Sequence, residues 1–310
     1  MKLPYFLAFC ARTPWAMDPA AMSMYAAMLA RHFSSGPAAL RADAGPVAGA
    51  DGQPIQAAAK TSGAAGARGS IAVINVMGPI VQRAADLGMC EAGTGCEDIG
   101  AALDAAVADS SVSQIAMRYS TPGGSVFGVQ ELGNKIREAR KKKPVVGVAD
   151  SMAASAGYWL LSQCSEAYVT PGGMVGSIGV YTAHECIAEA LKAAGVSVEL
   201  ISAGKFKTEG NPFQPLNDEG RAHIQSQVYA YQAAFTNAVS RGRNVPVDQV
   251  RNGMGEGRVL LADDALKANM VDGVATWEEV IRKMQGAGQP QRTARAAAMA
   301  RAQAEIAALS

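Results

Sequence analysis

Neither sign of charge is in excess in this 310-residue chain, where 28 Lys and Arg stand against 27 Asp and Glu for a formal net charge of +1. So balanced a chain has no electrostatic footprint for nucleic acid or for an anionic membrane surface, and neither partner is expected. The one basic run, Arg140 to Lys143, follows a helical pattern and precedes Pro144, which suits a solvated helix end. Cysteine is sparse: Cys10, Cys90, Cys96, Cys164 and Cys186 form no C-x-x-C pair and no Cys/His cluster at ligand spacing. That set argues against a disulfide scaffold or a zinc site and reads as reduced thiols in a cytosol. Long hydrophobic runs are missing too, since no segment approaches the ~20 apolar residues that span a bilayer. The opening "MKLPYFLAFCAR" holds Pro4 and is broken by Arg12, too short and poorly flanked for export.

With 49% hydrophobic residues the chain can bury one sizeable core or two modest ones. Residues 13–33 have helical spacing at Met22, Tyr25, Ala26 and Leu29, with Asp18 and Pro19 as cap and first-turn residue, and predict a helical arm within residues 1–33. Residues 34–69 are Ala, Gly, Pro and Ser with few large apolar side chains, too little to offset the entropy of ordering, and predict a flexible linker. The folded body begins at "SIAVINVMGPI" and alternates: a helix from about Glu97, the strand "VSQIAMRYS", the helix "VQELGNKIREARKK" and the short apolar strand "PVVGVAD". Such alternation implies an α/β domain with a parallel sheet, here residues 70–285. Beyond it the pattern predicts a helix from Tyr158 to Gln163, a strand "AYVT", a helix from about Ala183 to Ala194 and a strand "VSVELIS". A long helix capped by Asn217 runs to about Arg241, and three short helices follow near Val247, Asp263 and Glu278. Residues 286–310 read as a linker and an Ala-rich helical tail.

The segment "ADSMAASAGYW" sets Ser155 where a buried strand hands over to a helix, among residues small enough to let a substrate backbone approach. A helix N-terminus there offers unpaired N–H groups to a developing oxyanion, the requirement of a nucleophile turn. A tightly packed corner needs the same small residues, so the segment alone leaves both readings open. A second Gly-rich corner, "STPGGSVFG", follows another strand, and Gly123 and Gly124 offer a further backbone N–H beside that of Ala156. A serine nucleophile needs a base, yet the three histidines, His32, His184 and His223, have no acidic residue arranged around them in a motif. Lysine is the other choice, provided that burial brings its pKa down from about 10.4 toward neutrality. The loop "SAGKFKTEGNPF" offers Lys205 and Lys207.

Together, and in this order, "TPGG", "ADSMAASAGYW", "PGGMVGSIGV" and "SAGKFKTEGNPF" resemble the S49 peptidases, which include the signal peptide peptidases and the phage head-maturation proteases. The resemblance covers about residues 70–285. It implies a Clp protease/crotonase-type α/β fold, a nucleophile at Ser155 and a general-base lysine in the S-G-K-x-K-D type loop. The family spacing is met without a gap by Ser155 and Lys207, 52 residues apart, so Lys207 rather than Lys205 matches. The lysine-orienting hydroxyl falls on Ser177, and the oxyanion donors on Gly124 and Ala156, with Gly123 beside them. Ala156 stands where the signal peptide peptidases usually have glycine, which leaves the N–H donor in place; "RYSTPGG" and "KTEG" also depart from the family's usual wording.

What the resemblance implies is a serine endopeptidase with a Ser-Lys dyad that needs no cofactor and no metal. An N-terminal arm and linker without a transmembrane helix favour the phage branch: a capsid maturation protease acting in the host cytoplasm, within the procapsid. Its expected substrates are scaffold, portal protein or its own tail, and its expected state is a homo-oligomeric ring with active sites shared between protomers. A bacterial signal-peptide-peptidase-like protease and a non-catalytic assembly protein on the same fold are the alternatives.

Overall fold

The computed structural model describes residues 14–17, 70–83 and 93–286. The expected linker, the tail beyond Gly286 and most of the N-terminal arm lie outside the described residues. Of the arm, Trp15–Met17 form a strand, β1, ahead of the Asp18 cap from which a helix is expected.

The remaining strands are β2 (Ser70–Met77), β3 (Ile80–Val81), β4 (Thr94–Gly95), β5 (Val112–Thr121), β6 (Gly123–Ser125), β7 (Val145–Ala154), β8 (Glu166–Val169), β9 (Met174–Gly176), β10 (Val259–Leu261) and β11 (Gly273–Val274). Between them run α1 (Cys96–Ala108), α2 (Val129–Ala139), α3 (Ala156–Leu161), α4 (Ala188–Ala193), α5 (Asp218–Arg243), α6 (Val247–Gly253), α7 (Ala262–Lys267) and α8 (Trp277–Gly286). The main sheet has the order β10-β9-β7-β5-β2, with β8 beside β7 and β11 beside β8, and only the β10–β9 pair is antiparallel. This is the mixed α/β architecture that the alternation implies, a mostly parallel sheet flanked by helices. A smaller sheet, β1-β6-β3-β4, stands beside it.

Continuous apolar strands such as β5 and β7 have to be covered on both faces. On one face Leu103, Leu132, Ile136, Trp159 and Phe235, from α1, α2, α3 and α5, join the main core; on the other, Val280 and Met284 of α8 pack with Val146, Val148 and Tyr168. Trp159 stacks on Phe235 with ring centroids 4.6 Å apart, and the Tyr158 hydroxyl donates to Met270 O at 3.0 Å. Both contacts fix the six-residue α3 from two sides.

Three expectations are corrected in detail. Strand β7 does not stop near Asp150: its register against β5 shifts between Tyr119 and Ser120, Ser151 takes φ 82°, and the strand resumes to Ala154. It therefore pairs with β8 through residues 146–149 and with β9 through residues 152–154. The helix expected over 183–194 is confined to Ala188–Ala193. The segment "VSVELIS" is not a strand: no other described strand lies alongside to accept its backbone, and Val196, Val198, Leu200 and Ile201 are exposed, Ile201 by 92%.

Candidate active site

Ser155 sits at the carboxyl end of the central strand β7, at the step into α3. This is the position where open parallel sheets place ligand crevices. Ser155 is fully buried, and its backbone is held at φ 53° and ψ −117°, a conformation that a residue with a Cβ rarely adopts. Two bonds fix it there: the Ser155 N–H donates to Gly176 O at 2.7 Å, and the Trp159 N–H donates to Ser155 O at 2.9 Å. The hydroxyl makes a long bond to Gly179 O at 3.4 Å, which leaves it weakly committed. As the first residue of α3, Ala156 carries an N–H with no intrahelical acceptor.

The "TPGG" corner closes on the same serine. Gly123 has φ 102°, and a Cβ placed on it would stand 2.9 Å from Ser155 Cβ and 3.0 Å from Ala154 O, besides overlapping the Ala16 carbonyl oxygen. At Gly124 a Cβ would fall on the Ile80 backbone, so the β3–β6 pairing needs glycine there. The Gly123 N–H is taken by Thr121 Oγ1 at 3.1 Å. Gly124 is left as the member of the pair whose N–H can serve an incoming carbonyl.

Ser177 follows the carbonyl that anchors Ser155, because β9 pairs Gly176 with Ala154. It too is buried with a positive φ of 53°, and its N–H donates to Arg258 O at 2.8 Å. The structure thus brings Ser155, Ala156, Gly123, Gly124 and Ser177 together at the carboxyl ends of β7 and β9. It does not bring Lys207 to them. Lys207 is exposed on the loop between α4 and α5, and its side chain bonds to no other described residue. Lys205, two residues earlier, pairs with Glu219 at 2.9 Å and lies over the Phe206 ring. Within one chain the serine is fixed and buried, and its expected base is exposed.

Sequence reasoning missed Thr121, Gly179 and the strand β1. Thr121 and Gly179 act through one hydroxyl and one carbonyl, which no spacing rule marks. For β1 the flanking prolines are no signal, because the bias toward extended backbone before Pro14 and Pro19 falls on Thr13 and Asp18, outside the strand. Among the described residues there is no group of three or more His, Cys, Asp or Glu placed to hold a metal ion, and no helix long and apolar enough to cross a membrane.

Residues 137–289 match the family model described as Peptidase family S49. The chain is 35% identical over 217 residues to the capsid assembly protease C of Escherichia phage lambda, covering 70% of this chain and 49% of that protein. It is 32% identical over 236 residues to the head-tail preconnector protein of Enterobacteria phage P21, covering 74% and 47%. To Protease 4 of Haemophilus influenzae it is 30% identical over 214 residues, covering 69% and 34%. The chain spans about half the length of the two phage relatives.

Proposed function

The chain belongs to peptidase family S49, and from that premise we propose that it is a serine endopeptidase that processes capsid-assembly proteins of a phage. Ser155 is the nucleophile and Lys207 the general base. The serine hydroxyl adds to a peptide carbonyl as its proton passes to the neutral amine, which then protonates the leaving nitrogen. Water activated by the same amine hydrolyses the ester. The N–H groups of Gly124 and Ala156 stabilise the oxyanion, and Ser177 orients the lysine. One observation carries the proposal: a fully buried serine held at φ 53° on the turn between a central parallel strand and a helix, with a glycine corner packed against it. Strain of this kind persists only where the surroundings over-determine it.

A lysine acts as a base at neutral pH when its surroundings disfavour its charge, and enclosure among apolar groups does so. Lys207 is exposed in the single chain, so its enclosure falls to a neighbouring protomer, which the proposed ring supplies. The apolar side chains of Val196, Val198, Leu200, Ile201, Phe206 and Phe213 are exposed around the same stretch of chain, a surface suited to burial between subunits. The capsid assembly protease among the relatives supports scaffold, portal protein or the chain's own tail as substrates and the procapsid as the place of action.

Co-expression with the capsid and scaffold proteins of the same genome tests this. Wild-type chain is expected to process them, and Ser155→Ala and Lys207→Ala to leave them intact. Continued processing by both variants refutes the dyad. Genome neighbours without portal or capsid genes instead favour the Protease 4 type of housekeeping peptidase.

A further inference from the structure

The crevice over Ser155 is occupied by the chain itself. Strand β1 lies between two backbones: it pairs antiparallel with β6, Ala16 opposite Gly124, and Trp15 bridges to Tyr181 on its other side. The Trp15 N–H donates to Tyr181 O at 2.8 Å and the Tyr181 N–H to Trp15 O at 3.0 Å, while the Val126 N–H donates to Pro14 O at 3.2 Å. Successive residues of a strand point their backbone groups to opposite sides, and bonded pairs recur at every second residue. Trp15 therefore bonds toward Tyr181, whereas Pro14 and Ala16 bond toward β6. The group facing the Ala16 carbonyl is the N–H of Gly124, the proposed oxyanion donor. Ala16 O also reaches the space beside Gly123 that a Cβ would fill, with Ser155 Cβ on its far rim.

An extended segment held by backbone bonds on both edges is how a sheet edge binds a peptide. Its side chains fit the crevice as well: Trp15 and Met17 are buried at 4% exposure, and Ala16 is fully buried. We propose that Trp15-Ala16-Met17 is seated as a substrate, in the register that presents the Ala16–Met17 peptide bond to Ser155, and that this bond is a self-processing site. The step balances with what the peptidase reading, on which it rests, already supplies. Ser155 Oγ bonds to the Ala16 carbonyl carbon, and its proton goes to the base. The Ala16–Met17 C–N bond breaks as the base protonates the Met17 nitrogen, and water then hydrolyses the ester to leave Ala16 with a carboxylate and Ser155 restored. Residues 1–16 are released, Met17 becomes the new N-terminus, and the crevice opens to peptides with a small side chain before the cut bond.

Intact-mass measurement and N-terminal sequencing of the full chain, co-expressed with its capsid-gene neighbours, test this. Wild-type chain is expected to begin at Met17, while Ser155→Ala keeps residues 1–16. Ala16→Glu, which puts a charged side chain where Ala16 is fully buried, is expected to keep them as well. A wild-type chain that processes its neighbours and retains residues 1–16 overturns the self-processing site and leaves the peptidase reading standing. Trimming at Met17 in Ser155→Ala overturns it too, by assigning the cut to another protease. A wild-type chain that cuts neither its neighbours nor itself overturns both readings.

Discussion

The backbone of Ser155 makes a stability experiment with an unusual sign. At a position whose φ and ψ suit any residue, alanine is more stable than glycine by about 0.4–1 kcal/mol, because glycine has more unfolded freedom to lose. Ser155, at φ 53° and ψ −117°, is not such a position. Holding a residue with a Cβ there costs on the order of 1–3 kcal/mol, which glycine relieves. Ser155→Ala and Ser155→Gly both delete the 3.4 Å hydroxyl bond to Gly179 O, so that loss cancels when the two variants are compared. What remains is strain relief minus the entropy of glycine, about 0–2.6 kcal/mol in favour of Ser155→Gly. The assay is urea unfolding of both variants in one buffer, followed by tryptophan fluorescence, with processing of a co-expressed substrate measured in parallel. Both variants are expected to be inactive, and the glycine variant to unfold at the higher urea concentration. An alanine variant as stable as the glycine variant, or more so, refutes the claim that the serine is strained by its place in the fold.

Gly123→Ala puts a Cβ at φ 102° against Ser155 Cβ and Ala154 O, and is expected to destabilise the chain by about 2–3 kcal/mol and to lower substrate turnover more than tenfold; unchanged turnover in a folded variant refutes the close approach of this corner to the serine. Burial pushes the Cys164 thiol up to about 12, and burial with the nearby Glu131 and Glu97 does the same for Cys96, whereas Cys186 is exposed. Brief iodoacetamide treatment of native protein at pH 8, mapped by peptide mass, is thus expected to label Cys186 and spare Cys96 and Cys164. Asp272 receives two Arg243 bonds of 2.8 Å and the Ala167 N–H at 2.8 Å; burial alone would raise its carboxyl, but these bonds outweigh it and hold it below its ordinary value. A carboxyl depressed by folding contributes stability above its unfolded pKa of about 3.9 that is lost as pH falls through the folded value. Asp272→Asn is therefore expected to cost stability at pH 7 and to flatten the loss of stability below pH ~4 seen in urea midpoints of the wild type.

Signals that are local in sequence were legible, and those that depend on what lies across a gap were not. The β7-to-α3 corner, the Asn217 cap, whose side chain accepts from the Gly220 N–H at 2.8 Å, and the apolar strands could be read because periodicity and capping are written within a few residues. The "VSVELIS" segment carries the same alternation yet is no strand, because alternation states only which side chains share a face, not whether another backbone is present to pair. The bulge at Asp150 and Ser151 escaped notice for a similar reason: the two extra residues move β7 from β8 to β9, and only the sheet shows that need.

The candidate site divides along the same line. Ser155 and Ser177 follow the ends of β7 and β9, Ala156 opens α3, and Gly123 and Gly124 open β6 just past the end of β5, so the parallel sheet gathers them because its carboxyl ends lie on one side. Lys207 stands exposed on the loop between α4 and α5, and in the proposed enzyme its amine is brought to the serine by assembly. Chain separation therefore confers a physical order of events on the proposed enzyme. On the proposed reading, strand pairing seats Trp15–Met17 beside the serine within one chain, whereas the base is brought and enclosed by assembly. A crevice filled before its base arrives is protected from cutting stray peptides, and the first carbonyl present when the amine is enclosed is that of Ala16. Activation and self-processing then become one event, set by subunit concentration. Dilution below the assembly threshold is accordingly expected to preserve residues 1–16, and concentration to remove them, in a time course followed by intact mass.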